Sequence, residues 1–347
     1  MKKFISWLLV IALGVAGLGY WVFYVPNTAI SNGKKAVVFI PQGADFDQLM
    51  DSLVTKGAVQ NTFTFKWAAR YEKLPTHVNP GRYVVSSGTH NKQLARTLAM
   101  GWQTPLNLTL SGRIRSFEKL AALMAKPIAA DSLQILKALR NDSLRMAFGF
   151  DEASYMGMFI PNTYQVYWTV TPEQLLARFH QEYVSFWNEE RTQNAAKIGL
   201  TPREVSTLAA IVDEETSKVD EMADVAGVYM NRLRIRMPLQ ADPTVLFAVR
   251  QNDASQVIKR VLNTHLAVDS PYNTYTHSGL PPGPICIPST SALDAVLGYT
   301  HHSYLYFCAK ADFSGYHAFA ASLQEHNANA AKYHRALTAQ KQKATAL

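Results

Sequence analysis

Cysteine is nearly absent from this 347-residue chain: Cys286 and Cys308 are the whole complement. No disulfide framework can hold the fold together, and no Cys-x-x-Cys or mixed Cys/His metal spacing exists. A single bridge between the two thiols and a pair of free buried thiols both stay open. Histidines are present, among them His301, His302, His317, His326 and His334, but they form no HExxH or other ligand spacing. A metalloenzyme therefore has no support, and no metal or other cofactor is expected. Charge is also sparse, 17% of residues against 48% hydrophobic, which excludes disorder and calls for a large buried core in two or three domains. The net charge is +8, yet no Lys/Arg tract is interleaved with aromatics, as a nucleic-acid groove requires. Nucleic acid is excluded as a partner; the charge reads as solubility plus weak attraction to polyanions such as anionic lipid or cell wall.

What the chain does have is one long uncharged run. Residues 1–3 are Met-Lys-Lys, and residues 4–25, FISWLLVIALGVAGLGYWVFYV, are apolar throughout. A bilayer core needs roughly 20 such residues, whereas a cleaved signal peptide has a shorter apolar stretch and a small-x-small site. A transmembrane helix is expected. Trp7 near one end and Tyr20, Trp21 and Tyr24 near the other suit interfacial belts. Lys2 and Lys3 with the terminal amine favour a cytoplasmic N-terminus, although Lys34 and Lys35 partly match them. The remainder would then lie on the extracytoplasmic side of a single-pass inner-membrane protein.

After a linker at 26–35, residues 36–125 read as a small α+β module. Its strongest sign is a weak repeat: leucines follow Gly43 at 49 and 53, and follow Gly88 at 94 and 98, each after a β-rich run. Two strand-turn-helix copies and a third with shifted spacing are implied. The pattern from Tyr83 to Leu98 resembles the LysM carbohydrate-binding module; an ordinary α+β spacer is the plainer reading. Residues 126–154 form a connector. Residues 155–336 carry aromatic and Pro/Gly-rich segments that must be ordered loop, and such loops often line binding sites. A tail at 337–347 completes the chain.

Within 155–336 one helix is strange. Thr201-Pro202-Arg203-Glu204 is a capping box with proline at the first helical position, and the helix runs on into IVDEET, residues 211–216. With Val205 at zero and about 100° per residue, the apolar face centres near 310°. Glu215 falls near 280°, on that face, while Asp213 sits near 80° at its margin and Glu214 near 180°, toward solvent. Burial raises a carboxyl's pKa and Asp213 as a neighbour would push the same way, which suits a general acid near neutral pH. The competing reading pairs Glu215 with Arg232, Arg234 or Arg236 of the next helix. Further on, Gln240, Asp242 and Thr244 alternate: they share one face if the segment is a strand, or Asp242 opens a short helix before Pro243.

The motifs IVDEET, AGVYMNRLRIRM, LQADPTV, YNTY, GLPPGPI, YLYF, GYHAF and EHN occur in the order and spacing of a known family. The chain resembles the MltG (YceG-like) endolytic murein transglycosylases over most of residues 155–336. The resemblance implies that Glu215, last acid of an E-x-E-T motif, is catalytic, and that Gln240, Asp242, Thr244, Asn273, Tyr275 and His317 line a glycan cleft. It departs at three positions: Asp213 replaces the first acid of that motif, Met156-Gly157 an acidic-Gly pair, and Ser111-Gly112 a Glu-Gly pair.

The implied reaction is lytic cleavage of the β-1,4 bond between N-acetylmuramic acid and N-acetylglucosamine of nascent strands, leaving 1,6-anhydro ends, with Glu215 as acid and base and no cofactor. A hydrolase using Asp213 or Asp242 as second carboxylate is one alternative; a non-catalytic peptidoglycan-binding scaffold of division or elongation is the other. Partners implied are glycan strands, the cytoplasmic membrane and peptidoglycan synthases or the division machinery. The expected fold is α+β throughout, with a membrane helix, a LysM-like module and a larger catalytic domain whose ordered loops surround the cleft.

Overall fold

The computed structural model describes residues 2–31, 33–252 and 261–345. The first part of the chain runs α1 (Lys2–Tyr24), β1 (Lys35–Ile40), α2 (Phe46–Thr55), α3 (Thr62–Tyr71), β2 (Gly81–Ser86), α4 (Asn91–Ala99) and β3 (Leu106–Thr109). Next come α5 (Phe117–Ala125), α6 (Ser132–Leu139), α7 (Asp142–Ala147), β4 (Thr163–Val166), α8 (Pro172–Phe186) and α9 (Glu189–Lys197). The last part holds α10 (Pro202–Glu215), α11 (Met222–Arg234), α12 (Asp242–Asn252), α13 (Asn263–Leu266), α14 (Thr290–Leu297), β5 (Tyr306–Ala309), β6 (His317–Ala320) and α15 (Leu323–Thr345). The chain divides into two compact units, 1–108 with 124–135 and 163–172, and 109–123 with 136–162 and 173–347.

In the first unit β1 and β2 pair antiparallel, Lys35 opposite Ser86 through Ile40 opposite Gly81. Alternation buries Val38 and Ile40 on one strand and Tyr83 and Val85 on the other, as a sheet with one covered face requires. The two strand-turn-helix copies are these strands with α2 and α4. Gly43 and Gly88 adopt φ of 76° and 81°, left-handed values that favour glycine, and each turn is followed by a capped helix. Asp45 caps α2 in a capping box with Gln48, and the His90 side chain accepts from the Gln93 amide ahead of α4. Leu49, Leu53, Leu94 and Leu98 all reach the core. α1 is 23 residues long, and from Lys3 to Tyr24 it is long and apolar enough to cross a bilayer.

The second unit is built around α10. Every residue from Val205 to Val212 is buried, so the middle of this helix is enclosed and needs neighbours on all sides. α14, α11 and α12 pack against it, and Cys286, Leu293, Val225 and Tyr229 belong to the same core. Cys286 and Cys308 are both free thiols. The strand alternative for 240–244 is corrected: Asp242 begins α12, because Asp-Pro is a helix-start signal and the preceding backbone is tied to the 270–276 loop. α15 continues as helix through 337–345, the Ala, Gln and Lys of that stretch being good helix formers.

Candidate active site

α10 starts cleanly and ends abruptly. The Thr201 hydroxyl and the Glu204 carboxylate form the capping box, with the Thr201 amide donating to Glu204 at 2.8 Å. At the other end Thr216 is already extended, φ −136° and ψ 143°. Glu215 therefore occupies the last turn, where the helix's unpaired carbonyls disfavour a negative charge.

The three consecutive acids have three different fates. Asp213 accepts from both the amide and the hydroxyl of Ser289, each at 3.0 Å, and Ser289 is the N-cap of α14. Glu214 receives a bidentate pair from Arg115, 2.7 Å from Nε and 2.6 Å from Nη2. Its side chain keeps only 8% of its surface exposed, so the expectation that it faces water is corrected. The loop through Ile114 and Arg115 covers that flank of α10, held by the Ile287 amide on the Ile114 carbonyl at 2.9 Å; a helical projection of α10 alone cannot include it.

Among the described residues Glu215 makes one hydrogen bond: the Tyr229 hydroxyl donates to Oε1 at 3.0 Å. Part of its surface is open, yet protein surrounds the carboxyl closely enough that lost hydration raises its pKa to about 7. The Tyr229 bond works against this rise, Asp242 adds to it, Arg232 opposes it and Glu214 adds slightly. Asp242, with Glu214, supplies the like charge that sequence reasoning sought in Asp213, whose carboxylate is turned to α14. Tyr229 is itself buried and pushed well above the usual phenol range by desolvation and by Glu215, so it stays a donor.

No arginine of the next helix pairs with Glu215. Arg232 is buried and gives its guanidinium to the carbonyls of Leu305 and Leu239, both at 2.7 Å. Arg234 reaches Asn231 and the Tyr299 hydroxyl, and Arg236 is exposed at a turn with φ 56°. Arg232 thus acts on Glu215 as a fixed charge at a distance.

The other candidates play different parts. Tyr275 donates to Asp242 at 2.6 Å, and burial, Asp242 and Glu215 together raise its pKa; these two join Glu215, Tyr229 and Arg232 in one electrostatic cluster. Thr244 and Asn273 are completely buried and act inside the loops. Thr244 donates to the Ala241 carbonyl at 2.7 Å and meets the Thr274 hydroxyl at 2.9 Å. Asn273 donates to the carbonyls of Leu266 and Val268 and accepts from the Tyr275 amide. Their effect is to lock the 270–276 loop against the start of α12, which sets Tyr275 on Asp242. Gln240 is exposed with φ 49°, its amide on the Thr274 carbonyl.

His317 lies elsewhere in the network. Its Nδ1 is 2.7 Å from Glu221, which also accepts the His317 amide at 2.6 Å and the Thr216 hydroxyl at 3.2 Å. Glu221, 4% exposed, thereby links β6 to the residue directly after Glu215. Neither Glu221 nor Tyr229 was singled out from the sequence. The signal for Tyr229 was a phenol at a core position, since a buried hydroxyl requires a partner.

A cavity of about 870 Å³ opens on the Glu214 side of α10, lined by Arg115, Met156, Pro243, Phe247, Tyr272 and Ile285 among others. Glu215 is not in its wall. That wall includes Glu214, the residue before the acid, and Pro243, the residue after Asp242. Met156, one of the departures from the family pattern, is part of this lining, so an apolar surface stands there in place of a carboxylate.

The YceG-like family model matches residues 38–332. An endolytic murein transglycosylase of Streptococcus pneumoniae (serotype 2, strain D39) is 27% identical over 365 residues, covering 95% of this chain and 64% of that protein. The Bacillus subtilis (strain 168) endolytic murein transglycosylase is 38% identical over 151 residues, 44% of this chain and 39% of the other. The chain thus spans less than two thirds of the length of each of these relatives. A crystal structure of a yceG-like protein from Listeria monocytogenes superposes with a TM-score of 0.54 at 25% identity, covering 84% of this chain and 98% of that one. With its own family's model matched over most of its length, this chain belongs to the YceG-like family.

Proposed function

We propose that this protein is a membrane-anchored endolytic peptidoglycan transglycosylase with Glu215 as its single acid and base. The relatives named endolytic murein transglycosylases supply the substrate class. What supports the residue assignment is a carboxyl in the last turn of α10 that accepts from the Tyr229 hydroxyl at 3.0 Å and whose pKa is raised to about 7 by lost hydration.

The chemistry follows from that proton. Below pH 7 the Glu215 carboxyl donates it to the oxygen linking the muramyl C1 to the next sugar, and the C1–oxygen bond breaks. Positive charge develops at C1 as Glu215 becomes a carboxylate, which the Tyr229 hydroxyl and the Arg232 charge stabilise. The carboxylate then takes the proton of the muramyl 6-hydroxyl, whose oxygen bonds to C1. Glu215 ends protonated as it began, and no water is consumed. A hydrolase needs a second carboxylate to attack or to activate water; here the substrate brings the nucleophile. Asp242, already hydrogen-bonded to Tyr275, serves in this scheme to keep the Glu215 pKa high.

Gln240, Asp242 and Tyr275 are proposed as glycan contacts. Thr244 and Asn273 are proposed to contribute by fixing the loop that carries Tyr275, and His317 by its tie through Glu221 to Thr216. Residues 36–125 are proposed as a LysM-like saccharide-binding module, and α1 as a single-pass anchor in the cytoplasmic membrane with the residues that follow it on the extracytoplasmic side. That position suits trimming of new strands beside synthases or the division machinery.

Glu215→Gln and Glu214→Gln separate the assignment from a general effect of charge on α10. Loss of cleavage of purified peptidoglycan by the first, with turnover retained by the second, is expected. Full activity of Glu215→Gln would overturn the assignment.

A further inference from the structure

The first unit carries an aromatic face that its own core does not use. α3 buries Thr64, Phe65, Ala68 and Ala69 and turns Phe63, Trp67 and Tyr71 outward at 64%, 54% and 66% exposure. Four-residue spacing stacks the three rings along one side of the helix. Lys66 and Arg70, exposed beside them, put cations on the same side. Contiguous exposed aromatic surface marks an interaction site, and rings interleaved with cations suit a lipid–water interface.

The position of α3 identifies the occupant. The Tyr71 ring meets Phe23 of α1 edge-on, centroids 5.2 Å apart. A groove of about 540 Å³ is lined by Trp21 and Val25 at the end of α1 and by Phe63 and Thr64 at the start of α3. The junction is pinned by buried amides: Asn91 donates to the Val22 carbonyl at 2.7 Å, and Asn27 donates to Asn91 at 2.6 Å while accepting from the Asn61 amide at 2.6 Å. Lys92 adds a hydrogen bond to Tyr24 at 3.0 Å. α3 is therefore fixed at the end of α1, the level at which a spanning helix places its aromatic belt.

We propose that the outward face of α3 is a second membrane contact, with Phe63, Trp67 and Tyr71 seated among the headgroups of an anionic phospholipid bilayer and Lys66 and Arg70 meeting their phosphates. This rests on α1 being a membrane anchor. Continuity with the apolar surface of α1 favours lipid over a protein partner, and the interleaved cations favour anionic headgroups. The first unit then lies on the bilayer, held by α1 and α3 together.

The test uses the full chain in phosphatidylglycerol-containing nanodiscs, with Cys308→Ser and a single environment-sensitive fluorophore attached through Tyr20→Cys or Trp67→Cys; Cys286 is buried and stays unlabelled. Nitroxide at the lipid headgroup should quench both labels to a comparable extent. Quenching at 67 should fall by more than half in phosphatidylcholine discs and in the Lys66→Glu/Arg70→Glu variant. Quenching at 20 with none at 67 overturns the proposal and leaves the anchor standing, as does a blue-shifted label at 67 that lipid nitroxide cannot reach. Absence of quenching at both positions overturns the anchor and the proposal together.

Discussion

Glu215→Gln should stabilise the folded protein, and only above the acid range. The carboxyl's pKa rises from 4.5 in the unfolded chain to about 7 in the native state. Below the unfolded value both states hold the proton and the group contributes no difference. Between 4.5 and 7 the unfolded state has released its proton while the native state retains it, so stability falls as pH rises. Above the folded value the full cost is present, about 3 kcal/mol at 1.36 kcal/mol per unit. That figure is an upper bound, because the side chain still meets solvent in part. Glutamine keeps the acceptor for Tyr229 and carries no charge. Urea unfolding of the detergent-solubilised pair, from pH 4 to pH 8, should show midpoints that coincide in acid and separate in favour of the variant through pH 7. A difference that stays flat with pH, or a variant destabilised at pH 8 relative to pH 4, would refute a raised native pKa at this position.

Tyr229→Phe removes the hydrogen bond that holds the Glu215 pKa down, so the alkaline limb of the pH–rate profile should move upward by roughly one unit, the worth of a bond to a charged group, while kcat falls. An unmoved limb would mean that another group sets it. Glu214→Gln breaks the bidentate pair with Arg115, and chemical denaturation should read a loss of about 1–2 kcal/mol with turnover retained. Gly283→Ala should unfold or severely destabilise the second unit, since the added Cβ would stand 1.9 Å from the Ala153 carbonyl oxygen, a backbone clash that no rotamer relieves. A variant with unchanged Tm would show that this close approach is absent in solution.

What the sequence revealed, and what it hid, follows the range of each interaction. Glu215 could be singled out because the phase of one helix decides which side of α10 it occupies. Glu214 could not, since its burial depends on Arg115, roughly a hundred residues earlier in the chain, and a projection of one helix holds no such neighbour. The turns at Gly43 and Gly88 were legible because left-handed backbone and a following leucine pair are local signals. Gln240, Asp242 and Thr244 illustrate the reverse: polar alternation fits a strand, yet the same residues before and after Pro243 open a helix. Asn273 showed an amide of the type that binds sugars, but its carbonyl partners at Leu266 and Val268 belong to its own loop. The Glu221 link between His317 and Thr216 depends on a β-hairpin returning to α10, a long-range contact that pattern alone does not encode.

In the proposed reaction one carboxyl suffices because the substrate supplies the nucleophile. Digestion of purified glycan strands in heavy-oxygen water, with mass spectrometry of the new ends, tests it most directly. Muramyl ends lacking one water and carrying no heavy oxygen are predicted. Reducing ends labelled with solvent oxygen would contradict it and make the protein a hydrolase, with Asp242 as the first second carboxylate to examine.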